Sequence, residues 1–206
     1  MQLHGGVQVT GLKDGEPRRE GALRIWDHFR GDKVSLRVLE LGSGERAELR
    51  NDDEEEVLYD LTRDTAIHLP ARNTLAIDGA MTLISVRTPA IASSSRETLV
   101  VTLEERPLQR TGDRWYRELI QSEVTQFVGV IPPGRAPDHY HLYEEVLCIL
   151  SGEGSMWAGP SSAPIEPGSC IYLPPRQMHC VENRGSGDLR LLGVFYPAGS
   201  PAVRYG

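Results

Sequence analysis

A chain of 206 residues with 39% hydrophobic side chains can hold one large domain or two small ones, each with its own core. Its net charge of -7, without a basic stripe, argues against a nucleic-acid partner, and no apolar run is long enough to span a bilayer. The start, Met1-Gln2-Leu3-His4, has no secretory pattern, and Cys148, Cys170 and Cys180 suggest no disulfide framework, so a cytoplasmic, reducing location is expected.

The 21 glycines and 14 prolines favour short strands joined by tight turns, and no long 3.6-residue period stands out, so the expected class is all-β. In chain order, the acidic run Asp52 to Glu56 reads as a solvated turn rather than a Ca²⁺ loop, because charge runs usually face water. Pro89 to Arg96, rich in Ser and Ala, reads as a loop, and Glu97 to Leu103 alternates as a strand does. Arg106 to Asp113 is a polar linker. Arg114-Trp115-Tyr116-Arg117-Glu118-Leu119-Ile120 mixes aromatic and cationic residues; packing at a sheet edge is preferred over a substrate lid.

His139-Tyr140-His141-Leu142-Tyr143-Glu144-Glu145 is the stretch that carries chemistry, together with Pro174-Pro175-Arg176-Gln177-Met178-His179 further on. The first stretch continues into Val146-Leu147-Cys148-Ile149-Leu150, an apolar run read as a strand. Alternation points His139 and His141 the same way, and Glu145 keeps that parity if Leu142-Tyr143 is at most a local bend. Glu144 then faces the other side. Three imidazoles and one carboxylate suit a divalent first-row metal and leave one or two positions open. Burying an unpaired Glu beside three His without such a partner would be costly.

These two stretches resemble the cupin motifs. Gly134, His139, His141, Glu145 and Gly152 match the first motif, with one residue fewer between Gly134 and His139 than the family has. Gly168, Pro174, His179 and Asn183 match the second, and Arg176 stands where the family usually has Gly, a residue at ease at positive φ. The resemblance implies His139, His141, Glu145 and His179 as ligands of one divalent ion per chain. Fe(II) is favoured, with Mn, Ni or Zn as alternatives.

Three blocks recur in order. Glu56 to Leu61 lines up with Glu145 to Leu150, His68 to Arg72 with Tyr172 to Arg176, and Leu83 to Pro89 with Leu191 to Pro197. Such self-similarity suggests a duplication. The chain is thus similar to a bicupin, two tandem cupin barrels of the double-stranded β-helix or jelly-roll type, over residues 1–105 and 106–206. In the first copy Arg50 and Asp52 fall where the His pair would be and Leu75 where the third His would be; only Glu56 survives. Its hairpin between the motifs is also shorter, which makes this copy a scaffold without a metal site.

Around the expected centre, Tyr143 could pass a proton or hydrogen bond to substrate, and Gln177 could orient a ligand or water. Arg176 could pair with a substrate carboxylate, and Phe127, Trp157, Tyr172 and Tyr196 could form an aromatic wall. The family resemblance implies an enzyme on a small organic molecule, an anion among the options, and foremost a non-haem Fe(II) dioxygenase. Metal-dependent isomerase, decarboxylase or lyase chemistry stays open, as does a non-catalytic binding protein. The turn-rich tail from Pro197 to Gly206 is not a helix and could cross the barrel or reach a neighbour; a homodimer through edge strands is a further expectation.

Overall fold

The computed structural model describes residues 1–90, 97–203 and 205. Most of the expected Pro89–Arg96 loop therefore lies outside the described residues, as do Arg204 and Gly206 of the tail. The regular structure of the described chain is strand apart from two single-turn 3₁₀ segments at His4–Gly6 and Leu103–Glu105.

Two compact units emerge. One comprises Lys13–Glu105; the other joins Met1–Leu12 to Arg106–Gly206. The first twelve residues thus leave the copy that follows them, where the repeat boundaries alone placed them. The cause is a strand: β1 (Gln8–Thr10) pairs antiparallel with a strand of the second copy, setting Val9 opposite Ile171. Val7 and Val9 sink into that copy's core, and this burial offsets the cost of ordering a terminal segment.

The Lys13–Glu105 unit contains β2 (Arg18–Glu20), β3 (Leu23–Arg30), β4 (Ser35–Leu41), β5 (Arg46–Arg50) and β6 (Glu54–Asp60). These are followed by β7 (Thr65–Leu69), β8 (Thr74–Asp78), β9 (Met81–Pro89) and β10 (Leu99–Thr102). One sheet runs β10-β7-β6-β9-β4-β3-β2, and β5 and β8 form a second, two-stranded sheet. The core is apolar, built on Leu23, Ile25, Leu39, Leu58 and Leu69.

The other unit adds β11 (Gln109–Thr111), β12 (Arg114–Gln121), β13 (Thr125–Ile131), β14 (Gly134–Arg135) and β15 (Glu144–Ser151). After these come β16 (Gly154–Ala158), β17 (Ser161–Ile165), β18 (Cys170–Leu173), β19 (His179–Asn183) and β20 (Leu189–Tyr196). A seven-stranded sheet, β1-β18-β15-β20-β13-β12-β11, faces a four-stranded one, β14-β19-β16-β17. Alternate residues of the large sheet, Phe127, Leu147, Ile149, Ile171, Leu173, Leu191 and Phe195, enter one core with Met156, Ala163 and Val181 of the small sheet. This is the period of two expected of strands that present one face to a core. The Arg114–Ile120 stretch is part of the strand β12, next to the edge strand β11 of this sheet.

The two units share one plan of jelly-roll sheets. β1 adds to β18 as β10 adds to β7, and β15 lies between β18 and β20 as β6 lies between β7 and β9. They differ in the hairpin β16–β17, which stands between β15 and β18. The first copy has in its place only a tight turn after Asp60, whose carboxylate accepts the Thr62 N–H at 2.8 Å.

Candidate metal centre

The two motifs meet because the two sheets meet. His139 and His179 form an isolated antiparallel bridge that extends the small sheet, exchanging backbone hydrogen bonds at 3.0 and 2.8 Å. The chain then bends at Leu142–Tyr143 and joins the large sheet at Glu144. The single strand expected from His139 through Leu150 is therefore two segments, and the bend carries the chain from one sheet to the other. Glu145 enters from the large sheet, paired with Leu173 on one side and Phe195 on the other.

One ligand nitrogen from each of His139, His141 and His179 can be chosen so that all three lie within 4.8 Å of one another. Glu145 Oε2 is 3.6 Å from Nε2 of both His141 and His179. Two of the rings are held by backbone. His139 Nδ1 donates to Pro137 O at 2.9 Å and His179 Nδ1 to Gln177 O at 2.8 Å. A carbonyl can only accept, so each Nδ1 carries the proton and each Nε2 keeps its lone pair for the cup. The turn behind His179 is fixed in turn: the Arg176 N–H donates to His141 O at 2.7 Å, and Arg176 takes φ 63°. The position where glycine was expected thus keeps glycine's left-handed conformation with an arginine in it.

Burial dominates the electrostatics inside the cup. Glu145 is 4% exposed, and burial pushes its pKa up to about 8. Its Oε2 has no hydrogen-bond partner among the described residues. Burial, and then the neighbouring His139, lower the pKa of His179 to about 4. Neutral imidazoles facing an orphaned carboxylate oxygen fit a divalent first-row ion, which would accept all four donors.

A pocket opens onto this cluster, lined by Phe127, Ile131, Leu147, Leu191 and Phe195 and, toward the rim, by Thr111, Arg114, Trp115 and Tyr116. Phe127 is the one expected wall residue that lines it. Its ring lies directly over Gly193, in the space a Cβ there would need. Tyr172 and Tyr196 are off by one position, on the face that Glu144 shares; the Tyr172 hydroxyl donates to Glu144 Oε1 at 2.5 Å. Trp157 alternates with the inward Met156 and Ala158, so its indole lies outside, donating to Glu182 at 2.8 Å under the Arg135 guanidinium.

The other expected contacts also shift. The Tyr143 ring stacks on His141 at 5.0 Å and 11° and packs tilted, at 43°, against Phe195, while its hydroxyl points to Ser200 O at 3.4 Å. It braces a ligand ring and is not among the pocket-lining residues. The Gln177 side chain turns back to Met178 O and lies against Gly5; its main-chain carbonyl does the orienting. The exposed side chain of Arg176 is also absent from the lining, and Arg114 is the cation found there. Phe195 and Arg114 were legible by parity alone: Phe195 is the partner of Glu145, and Arg114 starts the strand that carries Tyr116.

The first copy shows what replaces such a centre. Register gives the equivalences: Glu56 pairs with Leu69 and Arg87 as Glu145 pairs with Leu173 and Phe195. Leu49 pairs with Leu75 where His139 pairs with His179. The Arg72 N–H donates to Asn51 O where that of Arg176 donates to His141 O. Leu49 and Asn51 therefore occupy the His positions, in place of Arg50 and Asp52, because the segment before Glu56 is one residue longer. Arg37, opposite Ser85, stands where Phe127 stands opposite Gly193. Arg37 Nη2 reaches Glu56 Oε1 at 2.5 Å, and Asn51 Nδ2 reaches Oε2 at 2.6 Å. Burial alone would raise the Glu56 pKa, but Arg37 and Arg87 outweigh it and hold that carboxylate below its usual range.

Comparison with known proteins bears on the fold. Residues 127–195 match the family model described as Cupin domain. An uncharacterised protein of Methanocaldococcus jannaschii is 33% identical over 82 residues, 40% of this chain and 65% of that protein. Auxin-binding protein T92 of Nicotiana tabacum is 32% identical over 85 residues, 35% of this chain and 46% of that protein. The chain thus spans less than two thirds of either relative. Among solved structures, a glyoxylate-induced protein of Pseudomonas aeruginosa superposes with a TM-score of 0.79 at 13% identity, covering 98% of this chain and 93% of that one. Oxalate decarboxylase of Bacillus subtilis gives 0.71 at 12% identity, covering 91% of this chain and 75% of that one. At these identities the likeness is one of fold.

Proposed function

Starting from a chain of the cupin fold whose residues 127–195 form a cupin domain, we propose that it is a metal-dependent enzyme acting on a small organic anion, with His139, His141, Glu145 and His179 as ligands. The observation that carries this reading is the buried carboxylate: Glu145 Oε2 lies 3.6 Å from two imidazole nitrogens with no hydrogen-bond partner among the described residues. A divalent ion held there would act as a Lewis acid and, if iron, would supply the redox capacity that reactions with dioxygen require.

The protein's own groups favour an oxygenase over proton-shuffling chemistry. Beyond the four candidate ligands, the pocket lining described contains no carboxylate and no imidazole. The Tyr116 hydroxyl donates to Gln109 Oε1 at 3.1 Å. An isomerase or a decarboxylase must move a proton at substrate carbon, and such a wall offers no free base for it. Phe127, Phe195, Leu147 and Leu191 would hold an apolar substrate body and exclude water, and Arg114 at the rim would pair with its acidic group.

A non-catalytic reading draws support from the auxin-binding relatives, whose names state ligand binding. Elemental analysis of protein purified anaerobically without added metal decides first. Near-stoichiometric iron is expected, followed by substrate-dependent oxygen consumption in a screen of phenols, thiols and keto acids. His179→Ala and His139→Ala are expected to bring metal to background while the barrel stays folded; unchanged metal content in both would sink the ligand assignment. Manganese, nickel or zinc would move the chemistry to the isomerase, lyase or decarboxylase class, and a metal-free protein would favour the binder.

A further inference from the structure

A cavity adjoins the lost centre of the first copy and reaches Leu49 of the four equivalent positions. It is walled by Leu23, Ile25, Leu39 and Leu49, and its charged lining is Arg37, Arg46, Arg50 and Arg87 against Glu20 and Glu48. Neither Arg37 nor Arg87 has a counterpart in the second copy, where Phe127 and Phe195 occupy the equivalent register positions. Loss of three imidazoles removes the nitrogen ligands of a cation, and the two arginines favour an anion instead.

Charge and hydrogen-bond accounting leave room for a ligand. Two guanidiniums face one fully buried carboxylate, Glu56, which already accepts from Arg37, Ser85 and Asn51. Arg37 spends Nε and Nη2 on Ser85 and Glu56. Arg87 Nε forms an ion pair with Glu56 Oε2 at 3.5 Å, but that buried Nε has no hydrogen-bond partner among the described residues. Its Nη1 reaches only Glu54, at 3.4 Å, and Glu54 is half-exposed. A buried donor without an acceptor costs free energy that an incoming anion would recover.

We propose that the first copy binds a small organic carboxylate without metal, its head group on Arg87 beside Arg37 and its hydrocarbon against Leu23, Ile25, Leu39 and Leu49. A planar carboxylate matches the two-pronged face of a guanidinium, and the apolar wall accepts a short chain or ring. Glu54 competes for the same guanidinium and acts as a displaceable stopper.

The test is ligand-observed NMR on the full chain with propionate and benzoate, with propionamide as the neutral control and inorganic phosphate as an anion without hydrocarbon. Propionate and benzoate are expected to bind wild type and His179→Ala alike, which separates this site from the metal centre. Arg87→Leu should weaken them by on the order of tenfold, as removal of a charged hydrogen-bond donor does. Glu54→Gln should tighten them. The proposal is overturned if wild type binds neither acid, if His179→Ala abolishes binding, or if phosphate or propionamide binds as well as benzoate. If Arg87→Leu proves unfolded, Glu54→Gln decides, and an unchanged affinity in that variant overturns the site.

Discussion

Two of the ligand side chains at the candidate centre are set by their own neighbours in sequence. His139 and His179 both donate their Nδ1–H to the carbonyl two residues earlier, Pro137 and Gln177, so short-range geometry selects the tautomer. Glu145 has no such help, and its raised pKa has a definite consequence for pH. In the metal-free protein the native state holds a proton that the unfolded chain releases at the ordinary carboxylate value. The resulting stabilisation is complete below about 4.5 and is lost as pH rises through about 8. His179 works on the other side: its neutral form loses favour as pH falls from 6.5 toward about 4. Metal-free stability should therefore be greatest in the mildly acidic range, whereas metal binding must expel the Glu145 proton. Apparent metal affinity is expected to rise about tenfold per pH unit up to roughly pH 8 and then level off, since one proton is released per ion. Competition with a chelator across that range measures it. A flat profile would mean that Glu145 is already ionised and that its burial is compensated by something other than the ion.

At the scale of elements, one register position changes the nature of a barrel. Arg37 opposite Ser85 and Phe127 opposite Gly193 are equivalent pairs, yet the first builds an ion-paired cup and the second an aromatic wall. Arg37 is 5% exposed and Glu56 fully buried, so neither charge can turn to water if its partner is removed. Arg37→Ala should cost about 3–5 kcal/mol, while the paired change Arg37→Met with Glu56→Leu should cost far less, because it removes both charges and keeps the volume. Urea unfolding of the two variants checks this, and equal losses would show that packing rather than charge holds the cup. The strands of this architecture are largely legible in the sequence, because β-branched and apolar runs at period two repeat in both halves. Four candidate ligands are legible too, since His139, His141, Glu145 and His179 follow a spaced pattern. Two things are hidden. Composition alone puts Tyr172, Tyr196 and Trp157 in the aromatic wall, whereas strand parity makes Leu173, Phe195 and Met156 the inward residues. Counting back from Glu56 along an ungapped chain gives Arg50 and Asp52 as the degenerate His positions, but one additional residue before that strand moves them to Leu49 and Asn51.

For the molecule as a whole, the telling feature is that residues 1–12 belong with 106–206 in the compact unit that holds the candidate centre. β1 pairs with β18, and the turn at Gly5 lies so close to the Gln177 side chain that a Cβ there would collide with its amide oxygen. Gln177 is the residue whose carbonyl holds the His179 ring, so the N-terminal segment presses on the turn that orients a ligand. A ligand that binds only the native state slows local opening wherever that opening breaks the site. Added metal should therefore slow hydrogen exchange at Gln8–Thr10 together with Cys170–Leu173 and His179–Asn183. Protection at Glu54–Asp60 and Thr65–Leu69 should be unchanged, because Glu56 there is already matched by Arg37. Mass-spectrometric exchange with and without the ion reads both. Slowing confined to residues after 106 would show that the N-terminal strand pairs with β18 without supporting the centre, and slowing around Glu56 would reveal a second ion where the register places two leucines and an asparagine.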